Sequence, residues 1–461
     1  MVALTPLQNP AQSFCWVAPV SDSSELASED PLALDYVAQQ VGLLLLPALT
    51  TRSSRAQAYA MVAYGLDLAE RAIALYGYAA TDETRRELFE RWERFWALAT
   101  FELKQGQLPR GDWDAMRGVR GARSAWRPGT APLQRDFKLI SRQQELGNLG
   151  AYLVPLRRAG LVMDGSLRPS PAALEIIDAF WDELGENKHR SRYDDYALLV
   201  LQNEQTRIER ANANLTLARV GERSRLTSLI ARGRVAQQRR LFEALFERAR
   251  DPYTFATSQL VEVATRSEVF APRDVLDGAI EGRFGSISDD LRALLVTARR
   301  FGEVMQALVA AFDRIYASLD RAGWIAPRDR IARESFDAAA LATLTEACAE
   351  LLSAPRVDEI RRLPVHGAAC LRLAEDLRHA DGASALDLVL AHHAAVQRDR
   401  RRGEGWIRSE AGKLVLVVTS YTARPDAPRY PSFKLDVVRT LLVDVGRLPA
   451  AAGQIVAGVE A

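Results

Sequence analysis

Thr50-Thr51-Arg52-Ser53-Ser54, running into Arg55 to Tyr76 (RAQAYAMVAYGLDLAERAIALY), is the stretch that decides the fold class. The hydroxyl-rich start offers side-chain oxygens to the unsatisfied N–H groups that open a helix. Tyr59, Val62, Leu66 and Ile73 then recur at spacings that place them on one helical stripe. Upstream, Leu34, Val37, Val41, Leu44 and Leu45 form a similar face, and Pro47 ends that segment. Downstream, Thr81-Asp82-Glu83 opens a third helix that carries Leu88, Trp92, Phe95 and Trp96 inward. Residues 32–104 are therefore expected to form a helical bundle, preceded by a polar, weakly ordered arm at 1–31.

The pattern changes after residue 104. Eight glycines and prolines between Gly106 and Pro132 rule out a continuous helix and make 105–136 a loop. It is basic, with Arg110, Arg117, Arg120, Arg123, Arg127 and Arg135 interleaved with Trp113 and Trp126. Helical periodicity returns over 190–400, with a second basic run from Arg219 through Arg223, Arg225, Arg232 and Arg234 to Arg239 and Arg240. At 401–461, Trp406-Ile407-Arg408 and Leu414 to Thr419 flank Ser409-Glu410-Ala411-Gly412, which predicts a β-hairpin. A last helix follows Pro431, with Phe433, Val437, Leu441 and Val445 on one face.

Between the basic loop and the long helices, residues 137–184 carry a distinct order. Leu139 to Leu146 reads as one helix, Gly147-Asn148 as a tight turn, and Leu149 to Ala159 as a second helix ended by Gly160. Leu161 to Pro169 reads as two short strands joined at Asp164-Gly165. Ser170-Pro171 then opens a helix burying Leu174, Ile177, Phe180 and Trp181. This order resembles the winged-helix family, with Pro155 inside the second helix as a departure from it. The expected fold is thus mainly α: a multi-helix bundle with an internal winged-helix module and a small C-terminal β-hairpin. The resemblance implies either groove reading in duplex DNA or a protein–protein adaptor. The candidate nucleic-acid contacts are Arg120, Arg123, Arg127, Arg142, Asn148, Arg157, Arg158 and Arg168, with Gln143 also expected on the surface, because arginine serves phosphates and guanine edges alike.

Composition excludes several classes. Of 461 residues, 60 are basic and 59 acidic, giving a net charge of +1, so whole-chain charge points to neither nucleic acid nor membrane. Three scattered cysteines, Cys15, Cys348 and Cys370, form no zinc motif and suit a reducing cytoplasm. No P-loop, dinucleotide fingerprint or nucleophile elbow is present. Glu102-Leu103-Lys104 has the spacing of a metal-dependent nuclease motif but lacks the preceding strand and aspartate. His379, Asp381, His392 and His393 lack the doublet of a metal phosphohydrolase. No catalytic constellation, metal or cofactor is expected.

Two further stretches, Leu34 to Gly42 running into Leu46 to Ala56, and Tyr430 to Gly446, resemble the opening and closing blocks of large helical bacterial proteins encoded among anti-phage defence genes. That resemblance implies a cytoplasmic, non-catalytic subunit of a defence complex, binding DNA, a partner ATPase or a partner nuclease through its winged helix. A diverged metal-dependent nuclease and a dimeric DNA-binding transcription regulator are the alternatives.

Overall fold

The computed structural model describes residues 30–47, 49–103, 117–125, 137–180, 197–198, 201–202, 235–247, 252–267, 270–400, 403–427 and 429–448. The arm before residue 30, most of the basic loop, Arg127, Trp113, Trp126, Trp181 and Arg219 to Arg234 lie outside them. The protein is mainly α-helical, with one small antiparallel sheet among the described residues. None of the described helices is long and apolar enough to cross a membrane.

The chain divides into two units, each assembled from separate stretches: Met1–Leu45 with Ala271–Phe433, and Leu46–Phe270 with Lys434–Ala461. The helix α1 (Leu34–Leu45) belongs to the first unit, whereas α2 (Ala56–Tyr76) and α3 (Asp82–Leu103) belong to the second. The second unit continues with α4 (Val119–Ala125), α5 (Gln143–Leu146), α6 (Asn148–Arg158), α7 (Leu174–Asp178), α8 (Val235–Phe242) and α9 (Pro252–Arg266). Here α2 and α3 pack together around Tyr59, Tyr64, Phe89 and Trp92, all fully buried. No acidic residue stands in the first turn of α2, and no side chain of its own caps it. Asp444 does so instead, accepting the Ala56 N–H at 3.0 Å and pairing with Arg55 at 3.2 Å.

The first unit is organised on α11 (Asp289–Arg321), which follows the short α10 (Pro272–Ile280). Ser288 caps α11 by accepting the Leu291 N–H, and Asp289 and Asp290 complement the positive end of the helix. Leu291, Leu295, Ala298, Phe301, Met305, Leu308, Phe312, Ile315 and Leu319 line one buried stripe at three- and four-residue steps. That stripe explains how one helix can serve α1, α10, α12 (Arg328–Ser335) and α13 (Ala338–Leu352) at once. Beyond them come α14 (Val357–Arg361), α15 (Gly367–Leu377) and α16 (Gly382–Asp399).

The expected hairpin forms from β2 (Ile407–Glu410) and β3 (Lys413–Leu416), in the register Ile407↔Leu416 to Glu410↔Lys413. Ala411 and Gly412 both take positive φ, 47° and 79°, the twist that a two-residue hairpin requires. A third strand, β1 (Ile325–Pro327), completes the order β1-β3-β2. Proline is tolerated there because β1 is an edge strand. After β3 the chain runs extended along α11: Tyr421 and the Arg424 N–H donate to the buried Asp313 at 2.7 and 2.9 Å. The last helix, α17 (Leu435–Asp444), returns to the second unit.

His392 and His393 secure the entry to α1. Trp406 N–H donates to His393 Nε2 at 2.9 Å, so the ring proton sits on Nδ1 and is donated to the Pro31 carbonyl at 2.8 Å. Burial holds this imidazole neutral, pulling its pKa from 6.5 down to about 4. His392 bonds the Leu32 carbonyl at 3.0 Å, and Arg400 pairs with Asp30 at 2.8 Å. Asp381 caps α16 through the Ser384 N–H. Among the described residues, no three His, Cys, Asp or Glu side chains are grouped to hold a metal.

Because the unfolded chain binds this proton below pH 6.5 and the folded chain does not until about pH 4, stability falls as pH drops through that window. The lost contribution is about 3 kcal/mol. Urea unfolding at a series of pH values is expected to show this slope, reduced in His393→Gln.

Candidate functional site

The module at 137–180 has the order helix, turn, helix, β-turn and helix; in place of the two expected strands, Leu161 to Pro169 makes only a single bridge, Val162↔Pro169. The first helix is a single turn, α5, rather than Leu139 to Leu146. Arg142 adopts φ 53°, and the Leu139 N–H is taken by the Gln143 side chain at 2.9 Å, so helical bonding begins only at Gln143. Gly160 ends α6 at φ 70°, with Leu161 N–H reaching back to the Leu156 carbonyl at 2.8 Å. The hairpin closes through Met163 N–H to Arg168 carbonyl and Ser170 N–H to Leu161 carbonyl, both at 2.9 Å, around Gly165 at φ 69°. Ser170 does not cap the next helix; its hydroxyl donates to the Gly160 carbonyl. Ile177 and Phe180 are buried as expected, but Leu174 is 50% exposed.

The module is gripped from behind by charged residues of α2 and α3. Glu93, fully enclosed on α3, accepts the Asn148 N–H at 2.7 Å, the Asn148 side-chain amide at 2.9 Å and the Gln143 amide at 2.6 Å. One carboxylate therefore caps α6 and fixes α5 to it. Burial pushes the Glu93 pKa up, and the donated hydrogen bonds oppose that shift. Lys138 pairs with Glu90, and Arg94 donates to the Phe137 carbonyl at 2.6 Å. The hairpin is held as well: Leu167 N–H donates to Asp82 at 3.3 Å and Arg168 pairs with Glu70 at 3.5 Å. Phe180 stacks on Tyr64 with centroids 4.2 Å apart.

These anchors account for several of the candidate contacts. Asn148 and Gln143, expected on the surface, are buried against Glu93. Arg157 donates to the Ser166 carbonyl at 2.8 Å and so holds the hairpin against α6. Arg158 donates to the Pro47 carbonyl, and Arg142 pairs with Glu145 at 3.3 Å. Arg120 and Arg123 stand exposed on α4; Arg127 lies outside the described residues. Of the second basic run, Arg239 pairs with Glu243 at 2.8 Å and Arg240 with Glu175 at 3.3 Å. The Glu102 side chain and Lys104 also lie outside the described residues.

Three large apolar side chains stand exposed on the module among charged neighbours such as Arg142, Glu145 and Glu175. Val154 on the outer face of α6, Met163 on the hairpin and Leu174 at the start of α7 are 45%, 47% and 50% exposed. Sequence periodicity signalled none of these as surface residues.

Removing the Glu93 carboxylate strands the Asn148 and Gln143 donors in the interior. Glu93→Ala is expected to cost about 3 kcal/mol in urea unfolding, with new proteolytic sensitivity between residues 137 and 170. No protein-family model matches the chain, and neither a curated protein nor a solved structure is significantly similar to it, so the reading of this module rests on its residues and their geometry.

Proposed function

We propose that the chain is a non-catalytic subunit of a bacterial anti-phage defence assembly, and that residues 137–180 are a winged-helix adaptor that engages a protein partner of the ATPase or nuclease kind. The supporting observation is which parts of α6 are free. A groove-reading helix presents its N-terminal residues to base edges. In α6 that end is buried on a carboxylate, Glu93, and Arg157 at the other end holds the hairpin's Ser166 carbonyl. The wing arginine, Arg168, faces Glu70. Val154, Met163 and Leu174 are exposed, and uncharged apolar side chains are what the core of a protein interface favours. A second reading, duplex DNA bound along α4, draws on the exposure of Arg120 and Arg123.

The test is co-purification of the chain with the products of its neighbouring genes. Val154→Glu, Met163→Glu and Leu174→Glu are surface changes expected to alter stability by no more than about 0.5 kcal/mol, while the partner is lost. Retention of the partner by all three sinks the adaptor reading. Salt-dependent binding to duplex DNA that weakens in Arg120→Gln/Arg123→Gln supports the second reading instead.

A further inference from the structure

Three cations converge on one loop of the second unit, and each has a backbone carbonyl, not a carboxylate, as its partner. Arg158, at the end of α6, donates to the Pro47 carbonyl. Lys434, the residue before α17, donates to the Leu49 carbonyl at 2.8 Å. Arg117, ahead of α4, donates to the Arg52 carbonyl at 2.6 Å. A carbonyl satisfies a donor without neutralising its charge; Asp436 partly offsets Lys434, while Arg117 and Arg158 have no ion pair among the described residues. Arg52, exposed on the same loop, has no ion pair among the described residues. The loop leads into the N-terminus of α2, whose partial positive charge already faces the Asp444 carboxylate. Arg55 is different, since Asp444 balances it.

Two observations show that the protein tolerates an unfavourable arrangement here. Lys434 is buried with no carboxylate bonded to it, at a backbone φ of 65° that disfavours any side chain. Gln57, in the first turn of α2, is buried with both amide atoms unpartnered. Buried polar groups are ordinarily satisfied. Guanidinium groups without a paired carboxylate among the described residues, at Arg52, Arg117 and Arg158, beside a bare amide therefore call for a ligand of opposite sign to the cations.

We infer that Pro47 and residues 49–55 form a binding site for a phosphate-class anion, contacted by Arg52, Arg117 and Arg158, with Lys434 bonded to the same loop. Each guanidinium keeps N–H groups beyond the one on its carbonyl, and its planar fork fits phosphate oxygens. The same chemistry serves free phosphate and the phosphoryl group of a nucleotide. Arg158 stands one turn beyond Val154 on α6, so the anion site adjoins the apolar surface proposed for the partner.

The experiment is calorimetric titration of the full chain at constant ionic strength with inorganic phosphate, sulfate and magnesium-free ATP. Saturable binding of phosphate or sulfate is expected, and Arg117→Gln/Arg158→Gln is expected to weaken it by about tenfold or more. A response to ATP without one to free phosphate assigns the site to a nucleotide. Sulfate keeps its charge across neutral pH, so its affinity reports the protein. Burial and the neighbouring Arg158 lower the Lys434 pKa to about 7, against the opposing Asp436. Sulfate affinity is therefore expected to fall as pH rises through that value, and to be flat in Lys434→Met. The inference is overturned by wild-type protein that saturates with none of the three probes, or by undiminished binding in the double variant. A flat sulfate profile in the wild type, or binding to duplex DNA alone, overturns it too.

Discussion

One buried carboxylate sets the geometry of the module at 137–180. Glu93 lies inside α3 between Trp92 and Phe95, where a charge without partners would be strongly unfavourable. Its partners are the opening N–H of α6, the side chain of the same residue and the amide of Gln143, so desolvation of the acid and capping of the helix are solved together. The positive end of α6 adds to that balance. Because the carboxylate is rigid in α3, the two short helices inherit their placement from it. The hairpin follows from the same support, through Asp82 and Glu70.

The same economy appears in the first unit with neutral groups. His393 accepts from the backbone of Trp406 and donates to the backbone of Pro31, joining residues 362 apart in sequence without a charge. Asp313 takes the Tyr421 hydroxyl and the Arg424 N–H, tying an irregular segment to the long helix α11. Backbone segments that lack ladder partners are fastened here by single buried side chains with two or more bonds each.

Local periodicity made much of this legible. The stripes of α2, α3 and α17, the Ala411-Gly412 turn and the Gly160 helix end all depend on neighbours in sequence. What could not be read depends on distant residues. Asn148 follows Gly147 in a polar context and reads as exposed, yet Glu93, 55 residues earlier, takes its amide. The signal was present in another form: an acid set within Trp92, Phe95 and Trp96, an inward face on which a carboxylate must find donors. β1 is too short for any alternation to show, and Pro327 argues against a strand unless its edge position is known. Leu174 fits a helical stripe but falls in a five-residue helix, too short to have a buried side along its whole length.

The interleaving of the two units has a consequence for synthesis. The stretch Leu46–Phe270 is translated whole before its own closing piece, Lys434–Ala461, exists. Until α17 emerges, Arg55 has no Asp444 beside it and α2 has no cap from that residue. Ribosomes add about 5–20 residues per second, so a nascent chain waits on the order of ten seconds or more with that helix end open. No single cut in the chain releases either unit complete, and a fragment ending before residue 434 carries the second unit without its last helix.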